Sequence, residues 1–166
     1  MAADTPEGFA LFFKNNSGPV FRALLAGTLS RVAAEDATAE AFARAFANWE
    51  RVSEHPNPRA WVLRVAWNYY RSSWRKWEGR WSATLPGPAP SSPEAWIDPD
   101  LVAAIRALPQ GQRAVIVLVA LGELTPTQAA RVLKTTAGTV RSQLFRARLA
   151  LRRALEETTD PEDEDE

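Results

Sequence analysis

The sequence has no cysteine, a single histidine (His55) and a single methionine among its 166 residues, and no long apolar run. Without cysteine there are no disulfides, no thiolate metal sites and no thiol nucleophiles. A zinc site or a Ser-His pair would have to rest on one imidazole, so metal and nucleophilic chemistry lack a basis, and a hydrolase has no nucleophile-base pair to support it. A bilayer span needs about 20 consecutive apolar residues, and none is present. The N-terminus also lacks the basic stretch and apolar core of a signal peptide. These absences lead to the expectation of a cytoplasmic protein, not inserted in a membrane, that is not an enzyme and uses no metal and no cofactor.

An excess of charge of either sign is missing too, because 20 Lys and Arg balance 20 Asp and Glu. That neutrality would argue against a nucleic-acid partner only if the charges were mixed, and they are segregated. From Glu156 to Glu166 there are eight acids and no base, so residues 1–155 hold 20 bases against 12 acids, a net of +8. Residues 59–81 carry six bases (Arg59, Arg64, Arg71, Arg75, Lys76, Arg80) against Glu78 alone. Residues 125–155 carry seven (Arg131, Lys134, Arg141, Arg146, Arg148, Arg152, Arg153) and no acid. A basic run alone is commonly a solvated helix face; two in separate parts of one chain point to a polyanion.

Five of the twelve prolines (Pro86, Pro88, Pro90, Pro93, Pro99) fall within 82–100 among Gly and Ser, which resists helix and marks an extended linker. On either side the apolar spacing is helical and no strand-like alternation occurs, so the expected fold class is all-α, with two small helical domains joined by a Pro-rich linker. Phe9, Phe12 and Phe13 form one apolar group and Val20, Leu24 and Leu25 another, with Asn15 to Pro19 expected to break or kink the chain between them. A second helix is expected from about Ala34 to Val52, with Phe42, Ala45, Phe46 and Trp49 as its apolar stripe. His55-Pro56-Asn57-Pro58 forms a loop, and a third helix runs from Pro58 to about Arg80. Beyond the linker, helices are expected near 101–108, 111–121, 125–133 and 136–155.

Five of the seven tryptophans lie between positions 61 and 81, with Tyr69 and Tyr70 among them. With Trp61, Val62, Val65, Ala66 and Tyr69 assigned to the core, Trp67, Trp74 and Trp81 recur every seven residues on a second face beside Arg71, Arg75 and Lys76. Aromatic faces next to cations suit single-stranded or melting nucleic acid, where each unstacked base regains ~1–3 kcal/mol on a ring. Asn68 is an amide able to meet a base edge. The alternative is that the outer tryptophans pack on another part of the protein or on a partner.

Thr125-Pro126 opens a short helix with an N-cap and a first-turn proline. Counted from Pro126, Ala130 falls where the helices of a helix-turn-helix touch and Val140 where the second helix anchors, while Lys134 stands at the turn position where glycine is usual. The second helix presents Thr136, Thr139, Arg141, Ser142, Gln143, Arg146 and Arg148, polar groups suited to a major groove.

Four motifs in this order carry a resemblance: Asp36-Ala-Thr-Ala-Glu40-Ala-Phe42; Pro58-Arg-Ala-Trp61 with Val65-Ala-Trp-Asn68; Leu108-Pro109 with Arg113-Ala-Val115; and Gly138-Thr-Val-Arg-Ser-Gln-Leu-Phe-Arg146-Ala-Arg148. They resemble the extracytoplasmic-function (group IV) sigma factors of bacterial RNA polymerase. The resemblance implies that residues 1–81 form a sigma region 2-like domain, 82–96 a linker, 97–155 a sigma region 4-like helix-turn-helix domain, and 156–166 an acidic tail outside the pattern. It implies docking on core RNA polymerase by Asp36, Glu40, Phe42, Phe46 and Trp49. It implies opening of a promoter −10 element by His55, Asn57, Trp61, Asn68, Arg71, Trp74 and Arg75, and contact with a −35 element by Thr136, Thr139, Arg141, Ser142, Gln143, Arg146 and Arg148. The implied partners are core RNA polymerase, promoter DNA and an anti-sigma factor.

Three positions depart from the pattern: Ala39, where Gln is usual; Ser72, where Asp is common; and Gln143, where a base is common. The tail is either a solubilising end or a segment that folds back on a basic face. Fifteen linker residues extend to roughly 50 Å at about 3.3 Å each, more than one DNA turn of about 34 Å, so two small domains can engage two elements of one duplex. The other readings are a sigma-like helix-turn-helix regulator without initiation activity, and an interaction module for an acidic protein partner.

Overall fold

The computed structural model describes residues 6–78 and 99–159, with side chains from Glu7 to Ser73 and from Asp100 to Glu156. The described residues form helices joined by short turns and contain no strand, which agrees with the all-α expectation. The linker, the end of the tail, and the side chains of Trp74, Arg75, Trp77 and Trp81 lie outside the described residues.

The first half consists of α1 (Pro6–Thr28), α2 (Arg31–Ala47), the short α3 (Trp49–Ser53) and α4 (Pro58–Glu78). The expected break at Asn15 to Pro19 does not occur, since α1 runs through Pro19. An interior proline forfeits a backbone hydrogen bond and costs ~3 kcal/mol. Here the Asn16 amide donates to the Phe12 carbonyl at 2.8 Å, and Val20, Ala23 and Leu24 bury on the face that follows. Ser30 caps α2, its hydroxyl accepting from the Ala33 N–H at 3.3 Å, so the helix starts earlier than Ala34. It ends at Asn48, whose φ of −124° is not helical, and α3 follows separately. Its seam is made of Ala34, Ala37, Thr38, Ala41, Phe42 and Ala45. These mostly small side chains let α1 and α4 approach closely. Phe46 falls at the edge of that seam and is 58% exposed, contrary to the expected stripe.

The second half consists of α5 (Pro99–Ala107), α6 (Gln110–Ile116) continuing into a π-helical turn at Val117–Leu121, α7 (Pro126–Leu133) and α8 (Ala137–Thr159). Thr125 and Gln128 form a capping box at the start of α7. Ala130 and Val140 are both buried, as the helix-turn-helix spacing requires. Lys134 ends α7 with φ 54° and ψ 49°, the left-handed conformation that glycine would adopt without a Cβ penalty.

The halves share one continuous core. Trp67 of α4 packs on Gly27 at the end of α1 and beside Val117 of the π-turn, so closely that a Cβ on Gly27 would stand 2.6 Å from the indole and 3.2 Å from Val117. Gly122 receives Leu63 in the same way. Around this contact Arg113 donates to the Gly27 carbonyl at 3.2 Å, Arg71 donates to the Val132 carbonyl at 2.7 Å, and Arg59 pairs with Glu123.

Two substitutions test these positions by thermal unfolding. Gly27→Ala forces the Trp67 ring out of place and is expected to cost about 2 kcal/mol, roughly 5 °C in Tm. Lys134→Gly removes the left-handed strain and is expected to add about 0.5–1 kcal/mol.

Candidate nucleic-acid interface

α4 is amphipathic, and packing takes two neighbouring stripes of it. Val62 and Ala66 bury toward α2, Leu63 and Trp67 toward the second half. The remaining face carries Trp61, Arg64, Asn68 and Ser72 at helical spacing. Arg64, Asn68 and Ser72 are exposed and Trp61 half-buried, and no acid occurs between Pro58 and Ser73. Trp67 therefore does not belong to a nucleic-acid face: it is 4% exposed. Of the three tryptophans spaced seven apart, Trp67 lies where the second half packs, and the side chains of Trp74 and Trp81 lie outside the described residues.

The loop before α4 is held by its own polar groups. Asn57 accepts from the Ala60 N–H at 3.0 Å and so caps α4, while the Asn57 N–H donates to His55 Nδ1 at 3.0 Å. A cavity of about 290 Å³ opens beside it, lined by Arg44, Asn48, Arg51, His55, Trp61 and Val65 among others. One indole and two guanidiniums, of which Arg44 is paired with Glu40 and Arg51 has no ion pair among the described residues, suit a planar ring attached to a phosphate. Asn68, Arg71 and Ser72 lie around a separate, smaller cleft of about 100 Å³ with Lys134. The expected −10 residues thus form two groups: His55 and Trp61 in one, Asn68 and Arg71 in the other. Trp74 and Arg75 lie outside the described side chains.

On α8 the expected −35 residues also divide. Arg141, Ser142, Arg146 and Arg148 are exposed. Thr136 uses its hydroxyl to cap the helix, accepting from the Thr139 N–H at 3.1 Å. Thr139 and Gln143 line a cavity of about 430 Å³ between the halves, with Trp67, Tyr70 and Arg71 on its other wall. Phe145 was not among the expected residues, yet it is 70% exposed amid the arginines. Its signal was in the sequence: the core stripe Val140, Leu144, Ala147, Leu151 leaves it on the opposite face.

The solvent face of α2 is apolar with acidic flanks. Val32, Ala39, Ala43 and Phe46 are exposed along it, beside Glu35, Asp36 and Glu40. Asp36 accepts from the Tyr69 hydroxyl at 2.9 Å, and the carboxylate pushes that phenol's pKa above its usual value. Glu40 pairs with Arg44 and Glu35 with Arg31, each at 2.7 Å. Of the expected docking residues, Phe42 is 3% exposed and supports the helix from beneath, because it points into the seam. Trp49 is half-buried, edge-on to Phe9 at 5.4 Å between ring centroids. Val32 was missed because it precedes the expected start of α2.

Among the described residues no helix is long and apolar enough to cross a membrane. Residues 12–80 match the family model of Sigma-70 region 2, and residues 100–151 match that of Sigma-70, region 4. The chain is 29% identical over 138 residues to the ECF RNA polymerase sigma factor EcfG of Rhodopseudomonas palustris, covering 79% of this chain and 75% of that protein. Its fold is similar to that of the sigma factor RpoE solved in complex with the anti-sigma factor NepR from Bartonella quintana, with a TM-score of 0.67 and 22% identity over 89% of this chain and 96% of that one. The two region models fall on the two helical halves in order, on either side of the proline-rich gap, and with the EcfG likeness they establish that this chain belongs to the sigma-70 family, as an RNA polymerase sigma factor of the extracytoplasmic-function group.

Proposed function

We propose that this sigma factor docks on core RNA polymerase through residues 1–81, opens a −10 element with the same domain, and reads a −35 element with residues 97–155, the 82–96 linker allowing both at once. One observation carries the reading: two exposed polar faces free of acid lie on separate helices, Arg64, Asn68 and Ser72 on α4 and Arg141, Ser142 and Arg146 on α8. The first adjoins an aromatic, cationic cavity of base size, as opening requires. The second has the depth and charge of a major-groove reader. The apolar face of α2, with Phe46 exposed, is the docking surface. The role needs no catalytic group of the chain itself and is exercised in the cytoplasm. Regulation by an anti-sigma factor is supported by the NepR complex of the Bartonella relative.

In this reading Arg71 reaches DNA only after leaving the Val132 carbonyl. Engagement of the −10 strand and separation of the halves are therefore coupled.

Run-off transcription from genomic DNA with purified core polymerase is expected to give specific transcripts that depend on the chain. No transcript, together with no co-elution with core, overturns the proposal. Asn68→Ala is expected to impair opening, followed by permanganate reactivity, about tenfold more than initial duplex binding, the size of effect that loss of one stacking or base-edge contact gives. Equal losses contradict its role. Phe46→Ala is expected to weaken co-elution with core and leave duplex affinity unchanged.

A further inference from the structure

Among the described residues Arg71 is the one side chain that lines both hollows at the junction of the halves. On one side of it lies the cavity of about 430 Å³, a volume within the range of small-molecule sites. The buried Trp67 indole forms its floor, Tyr70 of α4 adds a second ring, and Gln110 of α6 and Gln143 of α8 bring an amide each. On the other side lies the cleft of about 100 Å³, of phosphate rather than nucleotide size, where Asn68 and Ser72 of α4 meet Lys134 at the end of α7. No acid lines either hollow, and neither Arg71 nor Lys134 belongs to any of the three ion pairs among the described residues. We propose that this junction binds a nucleoside polyphosphate, with the base in the larger cavity and the phosphates on Arg71 and Lys134.

Each part of such a ligand meets a matching group. A nucleobase is a flat ring that stacks on aromatic side chains, and a glutamine amide pairs with a base edge through a donor and an acceptor together. Phosphates need fixed cations. A guanidinium holds five donors in one plane, and Arg71 gives one of them to the Val132 carbonyl at 2.7 Å, so it can bind a phosphate without leaving the second half. Lys134 adds a point charge from α7. Its backbone has φ 54°, where glycine is favoured, so the cation is kept at the cleft at a cost to the fold. The walls come from α4 on one side and from α6 to α8 on the other, and a nucleotide held between them binds the joined halves in preference to separated ones. Asn68, Arg71, Thr139 and Gln143 are also assigned to promoter DNA, so bound nucleotide withholds them from it. That consequence, unlike the site, rests on the promoter reading.

The test is calorimetric titration and thermal unfolding of the full chain with ATP, GTP, adenosine and inorganic tripolyphosphate. ATP or GTP is expected to bind and to raise Tm by about 5 °C at a hundredfold excess over its Kd. Adenosine and tripolyphosphate, which each carry half of the chemistry, are expected to bind about tenfold more weakly or less. Two variants remove the site and keep the fold. A Cβ on Gly111 would stand 4.0 Å from the Gln143 amide nitrogen with nothing closer across the cavity, so Gly111→Leu fills the larger hollow from a helical position. Lys134→Gly removes the cation and relieves the backbone. Each is expected to lower nucleotide affinity about tenfold without lowering the Tm of the free chain. No binding of ATP or GTP, undiminished affinity in both variants, or tripolyphosphate binding as tightly as the nucleotides overturns the proposal. A fluorescent DNA duplex is expected to bind about fivefold more weakly once nucleotide is bound. Nucleotide binding that is lost in the two variants but leaves duplex affinity unchanged supports the site and contradicts the promoter roles of Asn68 and Arg71.

Discussion

The indole of Trp67, seated between Gly27 and Val117, is the contact on which the arrangement of the two halves depends. A glycine at the end of α1 lets the ring approach the backbone, and the π-turn brings Val117 to its other side. The extra residue in that turn leaves the Gly122 N–H bonded to the Val117 carbonyl at 2.8 Å, with Leu63 against the glycine where a Cβ would stand. The contact is held by shape and apolar burial, since Trp67 Nε1 is buried without a hydrogen-bond partner. An unsatisfied buried donor costs ~1–3 kcal/mol, which offsets part of what the ring's burial contributes. The joint between the halves is therefore weaker than its close packing suggests.

A second coupling runs between α2 and α4. The Tyr69 hydroxyl donates to Asp36, and the Arg44 guanidinium lies over the Tyr69 ring at 5.9 Å. One phenol thus fixes the acidic edge of the α2 face and the register of α4 against it. Arg44 also lines the cavity beside His55 and Trp61. The face proposed for polymerase and the cavity proposed for a base therefore adjoin, with the Arg44–Glu40 pair between them.

Much of this was legible in the sequence because it depends on local rules. Thr125-Pro126 with Gln128 announces a capped helix start, and Ala130 with Val140 announces the helix-helix contact. What could not be read depends on partners distant in the chain. Trp67 and Trp61 are both indoles on one helix, and only the position of Gly27, forty residues earlier in the chain, decides which of them is buried. Pro19 looked like a breaker because its local cost is visible in the sequence while the burial of Val20 and Leu24 against other helices is not. Phe46 looked like core because its spacing from Phe42 is helical, but a seam of alanines needs a narrower stripe than large side chains would.

The balance of charge types gives the last step. Seventeen of the twenty bases are arginine, and the sites where two of them are spent show why. Arg113 donates to the carbonyls of Gly27, Arg106 and Leu108, at the C-terminal ends of α1 and α5, and Arg71 to that of Val132 in the last turn of α7. Helix C-termini present unpaired carbonyls and about half a negative charge, which a planar guanidinium can satisfy with several donors at once. A phosphate offers a full charge and the same bidentate geometry. Arg113, bonded to three carbonyls and half-buried, is committed to the fold. Arg71, with a single bond to a helix end at the rim of the interface, is less firmly held by the fold, and in the proposed role it exchanges that carbonyl for a DNA phosphate, which would link the Trp67 joint to promoter engagement.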